Sequence, residues 1–203
     1  MIEDYIVPPR STLNIEEVVL AWRDTLGVPN EWAPEIVDIL ENRLPKFFSS
    51  FALVVRPDNE MDDAEAYTEF SPAQIVARLS VYQAAVRREG RARMTLAHEL
   101  GHLVMHAGVQ KNPRMVGGNK PAPTHKIYET AEWQARKFGS IFLMPTHIVR
   151  QFASADELAS YCLVSRQAAL IRFNEVGRVA KQALPECVLD AIAKLDAVPV
   201  DRT

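Results

Sequence analysis

Apolar positions between residues 14 and 44 recur at helical spacing. Ile15, Val18, Val19, Trp22 and Leu26 fall on one face, and Asn14 followed by Glu17 makes a capping-box-like start. A second helix is expected from Pro34 to about Leu44, with proline in its first turn and Pro45 ending it. The period then changes. Phe47 to Val55 is short, aromatic and β-branched and predicts a strand; Ile75 to Val81 alternates and predicts another. A turn at Arg56-Pro57-Asp58-Asn59 and an acidic run to Glu65 separate the two. From Met94 to about His106 the helical period returns, with Leu96, Leu100, Leu103 and Val104 as its apolar stripe. Val109 to His125, rich in Gly, Pro, Asn and Lys, predicts a surface loop that could act as a lid. A further helix runs from about Tyr128 to Leu143 and stops at Met144-Pro145. Ser154 with Glu157 caps the next, Ser165 can cap the one after, and a last helix spans roughly Glu186 to Lys194. This order predicts an α+β fold dominated by helices, with a small, mainly antiparallel sheet beside the Met94–His106 helix. It divides the chain into an N-terminal helical segment (1–46), a core (47–150) and a C-terminal helical segment (151–203).

Composition adds exclusions. The 203 residues suffice for one full core, and 48% hydrophobic with 24% charged residues is ordinary for a globular protein. No apolar run approaches the roughly 18–20 residues of a membrane span, so no membrane partner is expected. Met1-Ile2-Glu3-Asp4 carries no basic flank or apolar stretch of a secretory signal. The two cysteines, Cys162 and Cys187, sit among apolar residues and read as buried reduced thiols, which with the rest points to the cytoplasm. A net charge of −3 argues against nucleic-acid binding over the whole surface. Asp58 to Glu65 is acidic, and Arg87, Arg88, Arg91 and Arg93 form a basic stretch; both read as solvated loop or strand ends.

The chemically informative string is Thr95-Leu96-Ala97-His98-Glu99-Leu100-Gly101-His102, an H-E-x-x-H on a helix. Positions four apart differ by about 40° and one turn of rise, so both imidazoles can reach one ion. Neutral imidazole suits Zn²⁺. Glu99 projects to the side of the pair, where it can hydrogen-bond a zinc-bound water, take its proton during attack on a carbonyl, and pass it to the leaving amine. Chance alone yields this string in roughly one chain in a hundred of this length, which sets the pair apart from two incidental surface histidines. A catalytic zinc needs a third protein ligand. His106 lies eight residues beyond His98, a drift of about 80° and some 12 Å along the axis, too far for one tetrahedral ion. It reads instead as a helix-end residue supporting the site. Glu129 and Glu132, three apart on the following helix, both qualify.

Arg91-Ala92-Arg93-Met94-Thr95-Leu96-Ala97-His98-Glu99-Leu100-Gly101-His102-Leu103-Val104-Met105-His106, followed by Glu132-Trp133-Gln134-Ala135-Arg136-Lys137-Phe138-Gly139-Ser140-Ile141-Phe142-Leu143-Met144-Pro145, resembles the ImmA/IrrE family of metallopeptidases. That family typically shows R-x-R-F-T-L-A-H-E-L-G-H, then E-x-E-A-N-x-F-A-A-x-L-L-M-P. The resemblance covers about residues 50 to 175 and implies a zincin-like core in which His98, His102 and Glu132 hold zinc and Glu99 is the catalytic base. Arg136 stands where the family usually has Asn, and Gly139-Ser140 replace the Ala pair, which bears on helix packing and polarity near the site.

The resemblance further implies a zinc-dependent endopeptidase that cleaves a regulatory protein, a helix-turn-helix transcriptional repressor. It also implies helix-turn-helix-like C-terminal helices, a shape that Leu158 to Phe173 fits; Arg166, Arg172, Arg178 and Lys181 would give it a mildly basic face. Direct DNA binding is the weaker reading, given the charge. The strand around Ile75 to Val81 is a candidate exposed edge for holding substrate in extended form. Tyr128, His125 and His147 are candidates for stabilising an oxyanion. The alternative to proteolysis is a zinc-binding regulatory or toxin-like module that acts by binding a partner or DNA. An intact Glu99 beside an open position favours the peptidase, since a structural zinc site has no use for a general base.

Overall fold

The computed structural model describes residues 6–48, 50–108 and 129–182. Helix α1 (Thr12–Thr25) starts just ahead of the expected cap, because the Ser11 hydroxyl accepts from the Asn14 N–H at 3.1 Å. Its buried face carries Ile15 and Val19. It also carries Arg23, fully buried, whose guanidinium donates to the backbone carbonyls of Phe142 and Glu31. Helix α2 (Ile36–Asp38) widens into a π turn (Ile39–Arg43) and closes in a 3₁₀ turn (Leu44–Lys46) that contains Pro45, one residue past the expected stop.

Three strands follow: β1 (Ala52–Arg56), β2 (Ala66–Phe70) and β3 (Ala73–Arg78), in the spatial order β1-β3-β2. The sheet is mixed. β2 pairs antiparallel with β3, Thr68 opposite Ile75, whereas β1 joins the other side of β3 in parallel, Leu53 opposite Ile75. The expected antiparallel arrangement thus holds for one of the two pairs. The strand expected to run to Val81 turns helical at Leu79, where α3 (Leu79–Val86) begins. The Asp58 carboxylate accepts from the Ser80 N–H at 2.9 Å, meeting a first-turn donor that a strand would have offered to a neighbour.

Helix α4 (Gly90–His106) lies beside the sheet and against α5 (Ala131–Leu143). The short α6 (Thr146–Val149) leads to α7 (Ala155–Cys162) and α8 (Arg166–Gln182), capped by Ser154 and Ser165 as expected. Buried residues from Ile15 of α1 to Val176 of α8 form one cluster, with Leu96, Leu100, Phe138, Phe142 and Leu158 in it. N-terminal, central and C-terminal segments therefore share a core. The basic stretch is only partly solvated: Arg93 is buried and donates to the carbonyls of Pro34, Cys162 and Leu163. Cys162 is buried too, and burial pushes its thiol up to about 11, an unreactive state. Among the described residues no helix is long and apolar enough to cross a membrane. The loop expected at Val109 to His125, the helix at Glu186 to Lys194, and Cys187 lie outside the described residues.

Candidate metal centre

The site is built where α4 crosses α5. His98 and His102, one turn apart on α4, bring their Nε2 atoms to 3.0 Å from each other. Glu132 comes from the first turn of α5, whose Thr130 hydroxyl accepts from the Trp133 N–H at 3.3 Å and so fixes where the helix starts. One carboxylate oxygen of Glu132 lies 3.3 Å from His98 Nε2, the other 3.1 Å from His102 Nε2. The His102 and His98 imidazoles beside it hold that carboxyl well below the usual carboxylate range, outweighing its partial burial.

Two glycines permit this crossing. A Cβ at Gly101 of α4 would stand 3.0 Å from both the Ala135 carbonyl and Phe138 Cβ. A Cβ at Gly139 of α5 would stand 3.0 Å from the His98 nitrogen. Each helix thus presents a bare backbone to the other, and the closeness lets a side chain as short as glutamate meet both histidines.

Ligand atoms bound about 2.0–2.2 Å from one tetrahedral ion stand roughly 3.3–3.5 Å from one another. The separation of 3.0 Å between the imidazole nitrogens, and those of 3.3 and 3.1 Å from them to the two different oxygens of Glu132, come within a few tenths of that. Two nitrogens and a carboxylate, with all ligand atoms within 4.8 Å of each other, fit a zinc ion. Among the described residues, His98, His102 and Glu132 are the group so placed. Glu129, the other carboxylate suggested by spacing, precedes α5 and is absent from that group; its backbone carbonyl accepts from the Val7 N–H at 2.9 Å.

Glu99 is 3% exposed and faces the sheet. Burial pushes its carboxyl up, opposed by the neighbouring His102 and His98 and by a hydrogen bond from Thr68. The Thr68 hydroxyl lies 2.8 Å from Glu99 Oε2 and 3.0 Å from the Glu99 backbone carbonyl. Thr68 belongs to β2, a strand absent from the sequence reading. The available signal was Ala66-Tyr67-Thr68-Glu69-Phe70, rich in strand formers and ended by Ser71-Pro72.

The remaining expectations sort as follows. His106, the last residue of α4, is buried with its Nδ1 3.2 Å from His102 Nδ1 and its Nε2 3.2 Å from Gln134 Oε1. Burial lowers its pKa to about 4, so the ring is neutral near pH 7. It therefore touches His102 and stands outside the His98–His102–Glu132 group, as helix geometry required. His147 lies half-buried on α6 beside the Pro29 carbonyl, 3.2 Å away, and Tyr128 and His125 are outside the described residues. Arg136, one of the departures noted above, points to solvent. The strand put forward as an exposed edge is instead central: β3 lies between β1 and β2 with Ile75, Val76 and Ala77 fully buried. Among the described residues the edge on the Glu99 side is β2. The expected basic face of α8 is also diminished, since Arg166 pairs with Asp156 and Arg172 is buried against the Met144 carbonyl and Glu16. The side chains of Arg178 and Lys181 are outside the described residues.

The sequence model of the IrrE N-terminal-like domain family, Peptidase_M78, matches residues 54–174, a span that contains β2, α4 and α5. Comparison with curated proteins gives no match. A solved structure described as a Mycobacterium tuberculosis transcriptional regulator superposes with a TM-score of 0.52 at 13% identity. The match covers 76% of this chain and 45% of that one, so the chain spans less than half the length of that neighbour, and the likeness concerns the fold.

Proposed function

The chain belongs to the IrrE N-terminal-like family of metallopeptidases, and on that premise we propose that it is a zinc-dependent endopeptidase acting on a regulatory protein. The observation that carries this reading is the convergence of His98, His102 and Glu132 with the buried carboxylate of Glu99 alongside. A structural metal site has no need of that carboxylate.

Zinc, when bound by these three residues, supplies a Lewis acid that polarises a substrate carbonyl and acidifies water. Everything else falls to the chain. Glu99 accepts the proton of the attacking water and returns it to the departing amine. Burial makes its carboxylate more basic than an exposed glutamate, which suits proton transfer near neutrality. Thr68 orients that carboxylate. Among the described strands β2 lies at the edge on the Glu99 side, where an extended substrate could pair with its backbone. Cleavage of a helix-turn-helix repressor is the substrate assignment favoured by the family resemblance, and the fold neighbour's description as a transcriptional regulator agrees with a regulatory setting.

The test is elemental analysis of wild type, His98→Ala and Glu132→Ala, purified without added metal. Near-stoichiometric zinc in wild type and loss in both variants is the expected result. Zinc retained in Glu132→Ala would sink the ligand assignment. Absence of zinc in wild type after reconstitution would sink the peptidase reading itself.

A further inference from the structure

Behind the ligands runs a buried line of polar groups. His102 Nδ1 lies 3.2 Å from His106 Nδ1, and His106 Nε2 lies 3.2 Å from Gln134 Oε1. Gln134 Nε2 donates to the Pro8 carbonyl at 2.9 Å. Pro8 belongs to a segment clipped to the start of α5, where Ile6 bridges Thr130 and the Val7 N–H donates to the Glu129 carbonyl. His106 and Gln134 are both buried.

The direction of this line can be worked out from its far end. A carbonyl only accepts, so Gln134 must present its NH₂ to Pro8 and its oxygen to His106. That oxygen also only accepts, so His106 carries its proton on Nε2. A metal held at His102 Nε2 leaves the His102 proton on Nδ1, and that proton finds its acceptor in the lone pair of His106 Nδ1, 3.2 Å away. A neutral imidazole with a proton on Nδ1 has its remaining lone pair on Nε2. His102 Nε2 is the atom that meets His98 and Glu132. The requirement of the carbonyl at one end and of a metal at the other thus select the same tautomer.

We propose that His106 and Gln134 are positioning residues that hold His102 as an Nε2 donor, through a buried relay anchored on the Pro8 carbonyl. The proposal rests on the His98–His102–Glu132 reading of the metal centre. It makes the N-terminal segment, which precedes the residues matched by the family, part of the site's support. Fixing a ligand ring by its second nitrogen restricts its rotation and raises its basicity toward the ion.

Two measurements test it. In zinc-loaded wild type, long-range proton–nitrogen NMR should place the ring protons at His102 Nδ1 and His106 Nε2, with a nitrogen–nitrogen coupling across the His102–His106 hydrogen bond. A proton on His106 Nδ1 overturns the relay. Zinc affinity is then measured by chelator competition in His106→Leu and His106→Gln. Leucine removes the acceptor and should weaken zinc by about 10–100-fold. Glutamine can accept from His102 and donate to Gln134, and should recover most of the loss. A packing role would order the two oppositely, since leucine fills a buried site at least as well as glutamine. Equal affinities in the two variants, or wild-type affinity in the leucine variant, therefore also overturn the relay. Wild type that binds no zinc overturns the metal centre and the relay together.

Discussion

Burying a carboxylate is costly unless something meets its oxygens, and at Glu99 one of those partners is the Thr68 hydroxyl. A hydrogen bond to a charged group contributes about 1.5–3 kcal/mol, and roughly 1.4 kcal/mol is a factor of ten in rate. Thr68→Val keeps the shape of the side chain and removes only the donor. The expected result is a kcat lowered by about ten-fold or more with zinc content unchanged, read from cleavage of a co-expressed substrate. Glu99→Gln should keep zinc as well and lose about 10²-fold or more in rate, because an amide cannot take the proton. If Thr68→Val releases zinc, the hydroxyl is holding up the α4 helix instead of orienting the base.

At the level of elements, the site depends on how closely α4 and α5 approach. Gly139 is the tightest point for His98: the absent Cβ would already stand 3.0 Å from its backbone nitrogen. Gly139→Val should push the helices apart, at about 1–3 kcal/mol for overpacking. Because Glu132 and the two histidines are on opposite helices, zinc affinity should fall along with thermal stability; unfolding and chelator titration of one preparation check both. Intact zinc affinity in a destabilised variant would show that the crossing has slack. These elements also show what could be read in the chain beforehand. The spacing of His98 and His102 expressed the helix period directly, so the pair and the glutamate between them were legible, whereas the burial of Glu99 was not. Glu132 was not separable from Glu129 by spacing and the family pattern chose it; the structure begins α5 at Ala131, with Glu132 in its first turn and Glu129 ahead of it. What escaped were features set by tertiary pairing. β2 is five residues long after an acidic run, and nothing local says that β3 will lie in the middle of the sheet. Arg93 and Arg172 look like solvated charges in the sequence because their partners are carbonyls and a carboxylate far along the chain.

Across the whole molecule, the C-terminal helices are joined to α4 by more than chain connectivity. The Arg93 guanidinium, five residues before His98, donates to the Cys162 and Leu163 carbonyls where α7 ends. A Cβ on Gly90, the first residue of α4, would stand 2.8 Å from the Val164 backbone. Leu158 and Cys162 are fully buried in the cluster that also holds Leu96 and Phe142. Removing residues 151–203 would leave Arg93 facing a void with two of its acceptors gone, and would strip apolar cover from α5. A guanidinium so exposed can be hydrated, but each large apolar side chain uncovered forfeits about 1.5–3 kcal/mol, and net domain stability is only about 5–15 kcal/mol. The chain ending at residue 150 is therefore expected to lose cooperative unfolding in calorimetry and to bind zinc weakly if at all. Full-length protein should unfold in a single transition whose midpoint rises with zinc, since a ligand that binds only the native state stabilises all of it. A truncated chain that keeps a sharp transition and wild-type zinc affinity would instead mean that α7 and α8 form a separable module, free to serve a partner independently of the metal centre.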